Sequence, residues 1–254
     1  EELTVLGTEF NEMLDRIQAM AEEELQHKML VERTEFKMFQ AQINPHFLYN
    51  TLNTMSGIAN AQNCPLVSGM CHSLSAIFRY SLNMTDELST IQSEMDHVRN
   101  YLYVMDVRNG SSIAYEYQID EETLQDQIPR ICLQPVVENA LTQGLRNTRR
   151  KDKKLCIGTK HINGNLVVTI ADNGTGMDAE AMNILLEKND RKRVETGVSI
   201  GILNVNARLK QLFGAEYGLK IESEPGNGTT VKITIPAVSC GETQEEKPEG
   251  RQCW

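Results

Sequence analysis

Apolar residues recur at helical spacing in the first part of the chain and at strand spacing in the second. Leu14, Ile17, Ala21 and Leu25 stand three and four apart with charged residues between them, the signature of an amphipathic helix. No glycine interrupts residues 8–56 and no proline precedes Pro45. So long a helix cannot bury its own stripe, and a partner helix from a second copy of the chain is expected. Asn63-Cys64-Pro65 reads as a turn. A second helix follows from Leu66 to about Asn83, with Met70, Leu74, Ile77 and Phe78 inward. Ser89 and Gln92 have the spacing of a capping box for a third helix, which runs through Val98, Tyr101, Leu102 and Met105 to Asn109-Gly110.

Beyond Gly110 the period changes. Ile113, Tyr115, Tyr117 and Ile119 alternate as in a strand. Pro129 is expected to open a helix to about Leu145. Leu155–Ile162 and Asn165–Ala171 read as strands joined by the two-residue turn Asn163-Gly164. Residues 178–198 are polar and irregular. Ile200–Phe213 reads as a helix closed by Gly214, and Leu219–Glu222 and Thr229–Ile235 as a final strand pair around Gly226-Asn227-Gly228. An all-helical front followed by mixed strands and helices gives a multidomain α and α+β chain with a boundary near Gly110. The polar, unpatterned tail 239–254, which holds Trp254, is expected to be disordered.

Composition narrows the function. The chain of 254 residues has a net charge of −10 and a pI near 5.1, which argues against nucleic acid as a partner. The six cysteines show neither C-x-x-C pairing nor zinc spacing and read as reduced packing thiols. No apolar run approaches the roughly 18 residues of a membrane helix. No signal peptide is visible. The chain opens on Glu1 rather than Met, so a membrane anchor could precede it.

The candidate chemistry begins at Phe39-Gln40-Ala41-Gln42-Ile43-Asn44-Pro45-His46-Phe47-Leu48-Tyr49-Asn50. A proline inside a helix costs about 3 kcal/mol. Gln42, Asn50 and Asn53 share a polar strip with His46, beside an apolar stripe of Phe36, Phe39, Ile43 and Phe47. For an isolated histidine the plainer reading is that Asn44 caps a new helix with Pro45 first. Three downstream pieces shift the balance. Glu138 and Asn139 offer hard oxygen ligands suited to Mg²⁺. Asp172-Asn173-Gly174-Thr175-Gly176 follows a strand, where a carboxylate can accept from an adenine amino group and Gly174 and Gly176 admit close approach. Gly197-Val198-Ser199-Ile200-Gly201 enters a helix, where free N–H groups favour phosphate.

In this order the motifs resemble a sensor histidine kinase of the LytS/YesM-like family, whose ATP-binding domain is similar to the GHKL ATPases (gyrase, Hsp90, MutL, histidine kinases). The phosphoacceptor signature is matched at Gln42–Asn50. The N box is matched at Leu133–Ala140 and the two glycine boxes at Asp172–Gly176 and Ile200–Leu209. The resemblance implies a helical-hairpin dimerisation and phosphotransfer domain (32–109), preceded by a HAMP-end signalling helix (1–31). An α/β sandwich ATP-binding domain (110–238) and the tail (239–254) follow. It implies autophosphorylation of His46 by ATP with Mg²⁺, then transfer to an aspartate of a response regulator. Asn139 would hold the metal, Asp172 would read adenine beside Gly174 and Gly176, Gly201 would admit phosphate, and Glu138 would orient or deprotonate the nucleophile. Residues 178–198 would be the lid. Asn50 could orient water for dephosphorylating the regulator. The partners would be a second copy through the N-terminal helices and the regulator. The chain would be the cytoplasmic portion of a cell-membrane protein. Two positions depart from the pattern: Gln143 stands where the N box usually has histidine, and Ser199 where the second glycine box often has glycine. They keep open a pseudokinase or scaffold that binds ATP without phosphotransfer; a plain GHKL ATPase is the other alternative. The run Arg146, Arg149, Arg150, Lys151, Lys153 and Lys154 reads as a solvated loop or as charge support for phosphates.

Overall fold

The computed structural model describes residues 45–82, 87–110, 113–188 and 200–238. Two compact units divide the chain, residues 1–51 and 52–254. The first is described from Pro45, where helix α1 (Pro45–Ala61) opens. The expected helix over residues 1–44 and the tail from 239 lie outside the described residues. Among the described residues no helix is long and apolar enough to cross a membrane.

In the second unit, α1 ends in a turn at Asn63, whose φ of 53° suits asparagine. Helix α2 (Pro65–Leu82) then begins on a proline, whose missing N–H is no loss at that position. The hydroxyls of Ser56 and Ser68, 2.8 Å apart, tie α1 to α2. Met55, Ile58, Leu66 and Val67 remain 42–60 % exposed.

Strand β1 (Leu88–Thr90) pairs antiparallel with β3 (Gln127–Pro129). This pairing explains two differences from expectation. Ser89 lies in β1, so the cap of helix α3 (Ile91–Asn109) is Thr90, whose side chain accepts from the Ser93 N–H at 3.2 Å. Pro129 closes β3, where a two-stranded edge tolerates it, and helix α4 (Leu133–Asn139) starts four residues later. Helix α3 ends as expected at Gly110, in the left-handed region (φ 59°), with its N–H bonded to the Asp106 carbonyl.

The main sheet has the order β2-β4-β5-β7-β6, formed by β2 (Ala114–Ile119), β4 (Lys154–Ile162), β5 (Asn165–Asp172), β6 (Gly218–Glu224) and β7 (Gly228–Pro236). The pair β2–β4 is parallel and the rest are antiparallel. Asn163 and Gly164 both take positive φ, 51° and 78°, as a two-residue hairpin turn requires. Leu155, Ile157, Val168, Ile170, Val231 and Ile233 point into a core completed by the helices. The intervening Thr230, Lys232 and Thr234 are only partly buried, the mark of a sheet packed on one face. This two-layer α/β domain follows the helical region, as the sequence predicts.

Two features of the core were not foreseen. Ile91, Met95, Val98 and Leu102 of α3 are buried in the same core as the sheet, so packing crosses the boundary expected at Gly110. Residues 179–188, expected to be irregular lid, form helix α5 (Ala179–Lys188). Met182 and Leu186 enter the core. Both ends of the Asn183 side chain bond the Ile221 backbone, at 2.8 and 3.0 Å. The remainder of that stretch, 189–199, lies outside the described residues. Helix α6 (Ile200–Phe213) closes at Gly214 (φ 114°).

Candidate active site

In the first unit His46 is the second residue of α1 and is exposed. Asn50, one turn later, brings its amide to 3.3 Å from both ring nitrogens. Phe47 is 64 % exposed, and its carbonyl accepts from the Thr51 hydroxyl at 2.7 Å.

In the second unit, Asn139 ends α4 and is 3 % exposed. Its Oδ1 is buried without a hydrogen-bond partner among the described residues. A buried amide oxygen left unpaired costs about 1–3 kcal/mol. A hard oxygen ligand in this state fits Mg²⁺ chemically. Glu138, next to it, faces differently and is exposed. Burial, helped by the Glu138 charge, pushes the hydroxyl of Tyr101 on α3 up to about 12. After Asn139 the chain widens into a π-helical turn (Ala140–Leu145), closed by the Arg146 N–H bonding the Leu141 carbonyl at 2.9 Å. Such turns often mark functional sites.

Asp172 ends β5 opposite Thr229 of β7. Burial raises its carboxyl to about 6, against the opposing hydrogen bonds from the Gly174 and Thr229 N–H groups. The Gly174 bond measures 2.8 Å. The glycines here are required by chain crossing chain. A Cβ on Gly144 would sit 2.5 Å from Asp172 Oδ1. One on Gly174 would lie 2.3 Å from the Gly144 carbonyl carbon, and one on Gly176 (φ 65°) 2.0 Å from the Glu224 carbonyl oxygen. The close approach read from the sequence is therefore backbone on backbone. Hydrogen bonds stitch the crossing: the Thr175 N–H to the Gly144 carbonyl at 3.2 Å and the Gly226 N–H to the Thr175 carbonyl at 2.6 Å.

A cavity of about 190 Å³ opens at this crossing, lined by Gln143, Gly144, Asn147, Thr175, Met177 and Thr229. It is smaller than the roughly 300–1,000 Å³ of a typical ligand pocket, the size for one end of an extended ligand. A larger cavity, about 470 Å³, lies between α3, β2 and another face of the π turn, among Met105, Tyr115, Leu141 and Leu145 with Arg108 and Lys153. No residue of the phosphoacceptor, N-box or glycine-box motifs lines it, although Arg146 and Lys153 of the basic run do, and volume alone does not make it the reactive site. The basic loop is anchored rather than loose. Asn173 donates to the Asp152 carbonyl at 2.7 Å and accepts from the Lys154 N–H at 2.8 Å, and Lys154 pairs with Glu116 at 2.6 Å. Gly201 lies in the first turn of α6, and residues 197–199 of its loop are outside the described residues.

Asp172, Gly174 and Gly176 thus meet at one crossing, with Asn139 on the helix that feeds it. Three contributors had no assigned role from sequence: Gly144, Thr229 and Asn173. The run Gly226-Asn227-Gly228-Thr229 carried the signal for Thr229, since a Cβ on Gly228 (φ 88°) would lie 2.1 Å from the Asp172 carbonyl oxygen.

This architecture is that of an ATPase domain: residues 129–239 match the family described as histidine kinase-, DNA gyrase B- and HSP90-like ATPase. Residues 34–113, including His46, match the histidine kinase family, so a histidine kinase domain precedes the ATPase domain in this chain. Among curated proteins it is 36 % identical over 236 residues to the sensor histidine kinase YesM of Bacillus subtilis, covering 93 % of this chain and 39 % of that one. It is 30 % identical to the sensor histidine kinase BtsS of Escherichia coli over 86 % of this chain and 36 % of that one. It is 32 % identical to the sensor protein LytS of B. subtilis over 89 % and 37 %. The chain therefore spans less than two-fifths of the length of these relatives.

Proposed function

We propose that this chain is the cytoplasmic kinase portion of a membrane-anchored sensor, binding ATP with Mg²⁺ and phosphorylating itself on His46. The observation that carries this reading is the exposed ring of His46 within its matched domain, in a chain whose second unit is a histidine kinase-type ATPase domain. Asp172, at the crossing beside the cavity, accepts from the adenine amino group. Gly174 and Gly176 let the chain pass closely at that crossing, and Gly201 at the start of α6 leaves N–H groups for phosphate. The Asn139 amide oxygen would hold Mg²⁺, which when bound neutralises phosphate charge. A ring nitrogen of His46 attacks the γ-phosphorus. The bond from that phosphorus to the bridging oxygen breaks, ADP leaves with the electron pair, and the ring gives up its N–H proton. Glu138 is the candidate acceptor of that proton. A receiver aspartate of a response regulator then attacks the phosphorus, and the P–N bond breaks. The exposed Met55, Ile58, Leu66 and Val67 are an apolar face for a second copy of the hairpin.

The test is incubation with γ-labelled ATP and Mg²⁺, comparing the native chain with His46→Gln. An acid-labile, base-stable label on the native chain alone is the expected result. Nucleotide binding without label on either chain would leave the pseudokinase reading in its place.

A further inference from the structure

Glu94 is fully buried, yet no lysine or arginine forms an ion pair with it among the described residues. Its carboxylate instead collects four hydrogen bonds. Oε1 accepts from the Ile131 N–H at 2.6 Å and the Tyr80 hydroxyl at 2.5 Å. Oε2 accepts from the Cys132 N–H at 2.8 Å and the Leu133 N–H at 3.0 Å. Cys132, at the cap position of α4, provides no side-chain cap. A carboxylate from α3, 38 residues upstream, does that work at the end where the helix dipole favours negative charge. Ile131 is held at φ 55°, a conformation in which a β-branched residue is a genuine outlier. Such strain persists where the surroundings over-determine it, and Glu94 supplies that determination.

The fourth donor comes from elsewhere. Tyr80 lies in the last turn of α2, the second helix of the hairpin. Its ring stacks on His97 at 4.5 Å and lies under the Arg130 guanidinium at 4.3 Å. Its carbonyl accepts from Arg130 at 3.0 Å. Burial and the adjacent Glu94 charge push its hydroxyl above the ordinary phenol range, so it remains a donor. His97 also reaches α4 directly, 2.6 Å from Gln134 Oε1. From the far side Arg208 of α6 donates to the carbonyls of Arg130 and Glu87, at 2.7 and 2.8 Å.

We propose that Tyr80 and Glu94 form a joint through which α2 sets the nucleotide site, with Glu94 the positioning residue of the helix that carries Asn139. This rests on the kinase reading above for its output and on the ATPase fold for its input. Helix α4 has seven residues, so about 9 Å of rigid rod separates Leu133 from Asn139. Movement of α2 at Tyr80 is passed to the first turn of α4 and emerges at the proposed metal ligand.

The experiment uses the whole chain in four forms: native, Tyr80→Phe, Glu94→Gln and the double variant. Each is measured for binding of a ribose-labelled fluorescent ATP with and without Mg²⁺, for labelling rate at saturating ATP, and for melting temperature. Tyr80→Phe leaves the three backbone bonds to Glu94 intact. Its affinity should stay within threefold of native while the labelling rate changes at least fivefold. Glu94→Gln turns one acceptor toward donors and should cost tenfold or more of affinity, chiefly the Mg²⁺-supported part. The double variant should match Glu94→Gln, because Tyr80 acts through Glu94. A native labelling rate in Tyr80→Phe, or effects that multiply in the double variant, overturns the joint. Ile235→Val, a core change in β7 away from these groups, controls for stability: if it slows labelling as much as Tyr80→Phe, the joint is likewise overturned. If the native chain binds nucleotide but takes no label, the kinase reading has failed. The affinities then decide the joint: tenfold weakening in Glu94→Gln supports it, and any smaller loss overturns it.

Discussion

Replacing Asp172 by asparagine should move stability and nucleotide affinity in opposite directions. Burial lifts this carboxyl from 3.8 to about 6. An acid whose folded pKa is raised holds its proton more readily in the folded chain than in the unfolded one. Its ionisation therefore costs nothing below 3.8, and the penalty grows with pH until it is complete above about 6. Two units at about 1.4 kcal/mol each set an upper bound of about 3 kcal/mol. Asp172 is partly exposed, and solvent screening brings the figure to about 1–2 kcal/mol. Asparagine removes that penalty while weakening the bond from the Gly174 N–H, so the ligand-free variant should be as stable as the native chain at pH 7, or up to about 1 kcal/mol more so. Binding should suffer. A hydrogen bond to a charged group contributes about 1.5–3 kcal/mol, so the fluorescent nucleotide should bind roughly 10–150-fold more weakly. Titrations from pH 5 to 8 give the second check. The ratio of native to variant affinity cancels the titration of the phosphates, and it should fall about tenfold from pH 7 to pH 5 as the native carboxylate protonates. A variant that binds within threefold of native, or a ratio independent of pH, would refute adenine recognition by Asp172.

Gly144→Ala places a Cβ 2.5 Å from Asp172 Oδ1 and 2.9 Å from its Cγ. Overpacking of this kind costs about 1–3 kcal/mol, so the melting temperature should drop by several degrees and nucleotide affinity by tenfold or more, read by thermal denaturation and the same titration. Ile58→Glu puts a charge on the exposed apolar face of the hairpin, where Ile58 is 60 % exposed. The variant should shift toward monomer in light scattering after gel filtration and keep its melting profile at low concentration.

The sequence announces what is written in short-range chemistry. The hairpin turn at Asn163-Gly164, the stop at Gly110 and the helix 200–213 follow from turn residues and period, and each is found where those rules place it. Asp172 and the glycines beside it were visible as a motif, but the reason for the glycines was not, because Gly144 and Glu224, which they accommodate, are distant in the chain. Pro129 misleads for a similar reason. Proline is equally at home at a helix start and on a strand edge, and the choice is made by Leu88 across β1–β3. Glu94 looked like any acidic residue of a charged helix, since its four donors come from residue 80 and residues 131–133. Helix α5 was masked by polar neighbours that hide the spacing of Met182 and Leu186.

The place of α3 decides where this chain can be divided. A fragment begun at Gly110 would contain every strand of the main sheet and every glycine motif, and would look complete on paper. It would also lack Ile91, Met95, Val98 and Leu102, each at most 2 % exposed in the intact protein. Each such side chain contributes about 1.5–3 kcal/mol by burial, and four of them rival the entire 5–15 kcal/mol that keeps a domain folded. The start of α4 would lose its carboxylate with them. An excised nucleotide-binding piece has to begin before Leu88, so that β1, Thr90 and the whole of α3 travel with the sheet they cover.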